Sequence, residues 1–337
     1  MKILYCGSFS ETCFASAAIN RVLVALKHEV INIDPIPYFH TNENFLTKLQ
    51  LHFLMGPCIN TYNKDVLLLA HKITPDLVFT DQAFLLFPDT ISKLKSVCKY
   101  VVNYTTEYLA FHEQMYKHFF KAVKFYDFHI ITNSLNVPIL EKKGVKKIIR
   151  TEFCYDPGVH CPLSLTENDL EKYKSEVAFI GHWEPSTEKI ISYLLQNNVP
   201  VRVWGPFWVR AKSLPNKKTV FPLYEIDYVK AISASKICLC ILSKQNHNQS
   251  TIRTFEIPAI GSFMLAERTG EHKSYFEEGK EAEYFSTLDE LIEKIKYYLK
   301  NEEERKLIAA RGRNRCITSG YTYQDRLRKI LSEITEK

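Results

Sequence analysis

Residues 2–34 read KILYCGSFSETCFASAAINRVLVALKHEVINID, and their pattern sets the fold. KILYC is a short apolar run closed by the turn residues Gly7 and Ser8. From Ala15 the apolar positions Ala15, Ala18, Ile19, Val22 and Leu26 return at helical spacing, and HEVINID is strand-like again. A strand, a helix and a second strand in that order make a crossover unit, whose two strands run parallel. Further strands are expected at PDLVFTD (75–81), YVVNY (100–104) and FHIITN (128–133), each short, apolar and bounded by polar or turn residues. Alternation of this kind predicts an α/β domain of Rossmann type over residues 1–155.

From Cys154 to Lys174 the chain carries two prolines, a glycine and many polar residues without apolar periodicity, so a linker is expected at 156–175. The series then restarts. EVAFIG, a helix around IISYLL, VPVRVWG, a helix near YVKAISAS, KICLCIL, SFMLA and EAEYF predict a second Rossmann-like domain over 176–320. Thr287 and Glu290 have the spacing of a capping box, ahead of an apolar helix face made by Leu288, Leu291, Ile292 and Ile295. A last helix at 321–337, with Leu327, Ile330, Leu331 and Ile334 on one side, is expected to pack back on the N-terminal domain. Ligands of open α/β sheets bind outside the strand carboxyl ends, so two such domains facing each other predict a site in the cleft between them.

The composition agrees with a folded protein: of 337 residues 46% are hydrophobic and 24% charged, which excludes disorder, collagen-like repeats and long coiled coil. The net charge of +6 is spread evenly, residues 1–160 holding 17 basic and 14 acidic side chains, so no nucleic-acid arm stands out. The basic run Lys142–Arg150 reads as a solvated helix end, with a weak peripheral membrane contact as the other reading. Nine scattered cysteines without a CxxC pair point to free thiols in a reducing compartment, and Cys238 and Cys240 to one apolar face of a strand. The N-terminus lacks a signal-peptide pattern and no stretch of 18 apolar residues occurs, so a cytoplasmic protein is expected.

Chemistry is concentrated in Ser243–Gly261, SKQNHNQSTIRTFEIPAIG, directly after the strand KICLCIL. It offers a polar loop, a candidate helix N-cap at Ser250 followed by Thr251, a cation at Arg253 and a carboxylate at Glu256. A helix start binds phosphate through its unpaired N–H groups and positive dipole end. Glu256 falls about 9 Å along the axis from Ser250, far enough to reach another part of the same ligand. The same spacing also suits an Arg253–Glu256 ion pair on a solvated surface. Pro258 predicts a short or bent helix.

RTFEIPAIGSFMLAER (253–268), FEEGKEAEYF (276–285), LIEKIKYYL (291–299), ERKLIAARGRNR (304–315) and YTYQDR (321–326), in that order and spacing, resemble the C-terminal domain of the CgeB-like glycosyltransferases. Over the first 150 residues the resemblance rests on element order and on NYTTEY (103–108). It implies the GT-B architecture, with a nucleotide-sugar donor (a UDP-, GDP- or dTDP-sugar) held by the second domain and an acceptor glycan, protein or small molecule held by the first. It also implies that Glu256 binds the donor ribose. Where the larger retaining group has another Glu eight positions earlier, this chain has Asn248. The diphosphate contacts of that group follow the glycine of the domain's first strand; here Gly181 is followed by His182, Trp183 and Glu184, with Lys189 further on.

A leaving nucleoside diphosphate needs its charge neutralised by a metal or by fixed cations and a helix dipole. No Asp-x-Asp motif occurs, so no metal or other cofactor is expected. The stabilisers are expected at Ser250, Thr251 and Arg253, with Lys244 or Lys189. A base for the acceptor hydroxyl is expected from the first domain, the candidates being Glu11, Asp81 and Glu107. His182 and the pair His112 and His118 are candidate contacts, and Trp183, Trp204 and Trp208 read as packing more than as stacking platforms. Two alternatives stay open: a non-catalytic nucleotide-sugar-binding scaffold, and a glycosyltransferase acting on nucleic acid.

Overall fold

The structure, a computed structural model, describes residues 1–9, 14–40, 45–111, 114–214 and 220–336. It contains two compact units, Met1–Glu152 with Tyr323–Lys337, and Phe153–Thr322. In the first, β1 (Lys2–Cys6), β2 (Glu29–Ile33), β3 (Leu77–Asp81), β4 (Tyr100–Thr105), β5 (Phe128–Ile131) and β6 (Ile148–Arg150) form one parallel sheet in the order β2-β1-β3-β4-β5-β6. In the second, β7 (Ser175–Ile180), β8 (Val201–Trp204), β9 (Ser235–Cys240), β10 (Met264–Glu267) and β11 (Glu283–Phe285) form a parallel sheet in the order β11-β10-β9-β7-β8. Both units follow one plan: the first strand lies between the second and the third. The topological switch point therefore falls at the carboxyl ends of β1 and β3 in one unit, and of β7 and β9 in the other.

Helices cover both faces of these sheets, which is why the strands read as near-continuous apolar runs. In the second unit the two faces are plain in the core. Ala178, Cys238, Cys240 and Ala266 pack on one side, and Val177, Phe179, Ile237, Leu239 and Leu265 on the other, alternating along each strand. The thiols of Cys238 and Cys240 are thus core groups, pushed by burial up to about 12 and about 11. All eight described cysteines are free.

Three expectations are corrected. Lys146–Arg150 is no continuation of a helix end: the helix Asn136–Lys142 stops, and Ile148–Arg150 becomes the edge strand β6. Residues 156–175 are not a free linker but part of the second unit. They include the helix Glu167–Tyr173, whose Thr166 and Asp169 cap each other reciprocally, and Lys230 Nζ holds Asp169 at 2.8 Å. Thr287 caps its helix by accepting the Glu290 N–H, but the Glu290 carboxylate accepts from Ser286 N and from Arg268 instead of completing the box. The chain leaves the second unit where it entered it, Tyr155 N donating to Tyr321 O at 3.1 Å. The last helix, Tyr323–Thr335, buries Leu327, Ile330, Leu331 and Ile334 within the first unit, against the helix Phe14–Ala25.

Candidate functional site

At the carboxyl end of β7 the backbone is stripped of side chains. Gly181 N donates to Trp204 O at 2.9 Å, and its carbonyl accepts from Trp208 Nε1 at 2.8 Å. Gly205, at φ 144°, comes so close that a Cβ there would lie 1.9 Å from Gly181 O, so both the conformation and the approach require glycine. A Cβ on Gly181 would meet the Phe179 ring at 2.7 Å and Arg253 Nη1 at 3.2 Å. Trp204 and Trp208 are buried packing residues, as expected.

Arg253 lies against this bare backbone. It is the first residue of the helix Arg253–Ile260, its guanidinium stands over Phe179 at 5.7 Å from the ring centroid, and Nη2 donates to Ile241 O at 3.2 Å. Its Nε is buried with no hydrogen-bond partner. A buried charged donor left unpaired is costly to the fold, and it is Nη1, 3.2 Å from where a Gly181 Cβ would stand, that faces the bare backbone.

The loops after β7 and β9 are joined by Glu184, which sequence reasoning passed over. Its side chain is 3% exposed. It accepts from His182 at 2.8 Å, Ser243 Oγ at 2.5 Å, Lys244 N at 3.1 Å and Ser186 Oγ at 3.3 Å. Burial pushes the carboxyl up, but the bonds from Ser243, His182 and Lys244 outweigh it and leave it below the ordinary value. Glu188 does the same for a second loop, accepting from Trp183 Nε1, Lys212 N, Ser213 N and Ser213 Oγ, and is brought to about 2 by those bonds against its burial. His182, Ser186 and Trp183 are near neighbours along the chain, whereas only the adjacency of β7 and β9 brings Ser243 to Glu184.

The expected helix start is corrected. The helix begins at Arg253 with Ile252 at the N-cap, and no side chain caps it. Ser250 Oγ donates instead to Glu271 Oε2 at 2.6 Å. Thr251 N donates to Thr254 Oγ1 at 3.0 Å, and Thr254 Oγ1 is 2.9 Å from His272 Nε2. His272 Nδ1 lies 2.6 Å from Glu267 O, so that nitrogen carries the proton and Nε2 accepts from Thr254. Burial lowers His272 to about 4, which keeps it neutral. This chain of bonds fixes the first turn and leaves Arg253 as the group turned to Gly181. Pro258 sits inside an eight-residue helix closed by Gly261 at φ 88°, short as expected.

Glu256 is buried, 7% of its side chain exposed, and is not paired with Arg253 on a solvated face. Oε2 accepts from Tyr228 OH at 2.6 Å, and Oε1 lies 3.2 Å from His160 Nε2. Because His160 Nδ1 accepts from Asp156 N at 3.1 Å, its proton is on Nε2 and points at Glu256. An ionised carboxylate has about four acceptor positions, so about two remain for ligand hydroxyls. Of the other candidates in this unit, His182 is 45% exposed beside Glu184. The Lys244 ammonium is paired with Glu267, which also accepts from Leu242 N. Lys189 is exposed on the helix Pro185–Gln196, and Asn248 is half-buried in the loop after β9.

In the first unit Asp81 ends β3 at the switch point. Its Oδ2 accepts from Ser16 Oγ at 2.6 Å and Tyr5 OH at 2.9 Å. Burial raises this carboxyl above its ordinary value despite both bonds. Glu107 stands in the loop beyond β4, and its carbonyl accepts from Asn136 Nδ2 at 2.8 Å. His118 is engaged by Leu54 O at 2.7 Å. Glu11 and His112 lie outside the described residues. Among the described residues no group of three or more His, Cys, Asp or Glu is placed to hold a metal ion, and no helix is long and apolar enough to cross a membrane.

Residues 187–332 match a family model described as glycosyl transferase-like. Comparison with curated proteins by sequence gives no match. Several solved structures share the fold along the whole chain. A sucrose-phosphate synthase from Thermosynechococcus elongatus superposes with TM-score 0.69 at 8% identity, covering 100% of this chain and 99% of that one. Anabaena Alr3699/HepE in complex with UDP-glucose does so with TM-score 0.68 at 14% identity, covering 100% of both. A glycosyltransferase from Rickettsia africae gives TM-score 0.65 at 15% identity, covering 99% of this chain and 98% of that one. The fold is that of the GT-B class, two Rossmann-like α/β units in one chain.

Proposed function

We propose that this chain is a nucleotide-sugar-dependent glycosyltransferase whose second unit takes the donor. The observation that carries the reading is Arg253: a half-buried arginine whose guanidinium is set against the bare backbone of Gly181 at the switch point of the sheet. A diphosphate oxygen accepting from an Nη atom would pair with this cation, which would also neutralise the charge that grows on the leaving nucleoside diphosphate. Glu256 retains acceptor capacity for the ribose hydroxyls, while Tyr228 and His160 hold its rotamer. Glu184 fixes the loops carrying His182, Ser243 and Lys244 around the same point. UDP-glucose, present in the Anabaena structure, is the first donor to test.

The acceptor is a hydroxyl-bearing glycan, protein or small molecule. If the reaction inverts, Asp81 is the base: it ends a strand at the switch point of the first unit and has raised basicity. Fixed cation and backbone dipoles, with no metal ion, carry the electrostatic work in this reading. The run Arg253–Arg268 supports assignment to the CgeB-like group within the class, and a cytoplasmic location fits the free thiols.

The test is donor turnover. Purified protein is incubated with UDP-, GDP- and dTDP-sugars, with and without sugar acceptors, and released nucleoside diphosphate is measured. Release from one nucleotide class, unchanged by a chelator, supports the proposal. Tight binding without release under any acceptor makes the chain a scaffold, and strongly salt-dependent nucleic-acid affinity moves the acceptor to DNA or RNA.

A further inference from the structure

Asp81 is bonded through only one of its oxygens. Tyr5 OH at 2.9 Å and Ser16 Oγ at 2.6 Å both donate to Oδ2, and no described residue donates to Oδ1. An ionised carboxylate accepts at both oxygens, so Oδ1 keeps its acceptor positions. The strand register shows how the tyrosine reaches this carboxylate. Tyr5 pairs with Phe79, two residues short of Asp81 on the same face of the sheet, so the phenol spans about 7 Å along the strands. Gly7 leaves it room: a Cβ there would lie 3.2 Å from the Tyr5 ring and 3.3 Å from its hydroxyl. Tyr5 and Ser16 are both buried, the Tyr5 ring 5.4 Å from Phe9 and from Phe79. A backbone carbonyl or a neutral side chain would satisfy a buried phenol equally well. A carboxylate is the costlier partner, because its charge must leave water too.

A second feature lies one residue on. Gln82 has φ 60°, a conformation that residues other than glycine disfavour. Three bonds hold it: Gln82 N donates to Tyr104 O at 2.9 Å, Nε2 donates to Thr106 Oγ1 at 2.8 Å, and Oε1 accepts from Tyr116 OH at 2.5 Å. Backbone strain persists only where the surroundings over-determine it, and it gathers at functional sites. Here it ends β3 directly after Asp81. The Gln82 side chain is tied on the β4 side of the strand, while the donors to Asp81 come from the β1 side. The titratable groups about Asp81 are Tyr5 from β1, Tyr104 at the paired position of β4, and Tyr116 ahead of the helix Lys117–Ala122. Among the described residues no lysine or arginine is paired with it.

We infer that Tyr5 and Ser16 are positioning residues for the base: by occupying Oδ2 they leave Oδ1 as the atom that takes the acceptor's proton, and Gln82 locks the turn behind it. This role rests on Asp81 being the base of an inverting transfer. In that step the acceptor O–H bond breaks and its proton goes to Oδ1. The freed oxygen bonds to the anomeric carbon, and the electron pair of the sugar–phosphate bond leaves with the nucleoside diphosphate. Two donors on Oδ2 favour the anion, so they set the pH at which the base becomes available.

Transfer is measured against pH in the full chain and in Tyr5→Phe and Ser16→Ala. Loss of either hydroxyl should move the acid limb of kcat up by about one pH unit, with KM for the donor unchanged. A merely structural role would lower the unfolding midpoint and leave the limb in place. A carbon-13 NMR titration of the Asp81 carboxyl, assigned by its loss in Asp81→Asn, reads the same shift without turnover. A limb and an NMR midpoint that stay put in both variants overturn the inference. Full transfer by Asp81→Asn overturns it as well and leaves the donor reading standing. Absence of donor turnover from every protein would end the donor reading instead.

Discussion

Replacing Arg253 by methionine separates binding from folding. Methionine keeps an unbranched stem over Phe179 and removes every donor. In the folded protein two changes oppose each other. Ile241 O loses a donor at 3.2 Å, worth about 1 kcal/mol, and the buried unpaired Nε disappears, which relieves about 1–3 kcal/mol. Stability should therefore stay within about 2 kcal/mol of the parent or rise slightly. Binding should behave differently. A charge-assisted hydrogen bond contributes about 1.5–3 kcal/mol, and about 1.4 kcal/mol is a factor of ten, so nucleoside diphosphate affinity should fall about ten- to hundredfold. Isothermal titration with UDP, alongside urea unfolding of both proteins, reads the two quantities. Unchanged affinity, or a loss of affinity that merely follows a comparable loss of stability, would remove Arg253 from the donor site.

Three further outcomes are expected. Asp81→Asn should keep the bonds from Tyr5 and Ser16 while removing the base, lowering transfer about 10²- to 10⁴-fold in an inverting reaction. Because burial raises the folded carboxyl above its unfolded value, ionisation of Asp81 destabilises the fold as pH rises through that range, so the variant should unfold no more readily than the parent at pH 7; a lower midpoint there would contradict it. Glu188 has the opposite sign: its folded value is about 2 against an ordinary 4.5, so its stabilisation is present above 4.5 and lost as pH falls toward 2. Acid unfolding followed by circular dichroism should accordingly be less steep across that window in Glu188→Gln. Gly312→Ala places a Cβ 2.3 Å from Glu281 O, a backbone atom that cannot swing aside, and should cost about 1–3 kcal/mol by urea titration; an unchanged midpoint would mean the helix shifts freely.

Much of the fold was legible because parallel strands buried on both faces are short apolar runs with turn residues at their ends, as KILYC and EVAFIG are. Ile148–Arg150 escaped because an edge strand pairs on one side only and this one is three residues set among lysines. The helix Glu167–Tyr173 was hidden by a segment whose order comes from the Thr166–Asp169 caps and the Lys230 bond, not from apolar periodicity. The importance of Arg253 and Glu256 could be read from their segment, but their surroundings could not. Tyr228 is 28 residues from Glu256 and His160 is 96, and both arrive through the packing of the second unit. Ser250 looked like a cap because local spacing was the only guide; Glu271, 21 residues on, takes its hydroxyl. Glu184 could have been noticed as an acidic residue just past a strand end, yet its donors Ser243 and Lys244 follow from strand order alone.

The most direct test is a crystal structure of the full chain with the nucleoside diphosphate that binds it. A diphosphate oxygen should lie within about 2.7–3.2 Å of an Arg253 Nη atom, with the ribose hydroxyls on Glu256 and Tyr228 still bonded to that carboxylate. Nucleotide lodged away from the ends of β7 and β9, with no phosphate oxygen on the Arg253 guanidinium, would contradict the donor assignment.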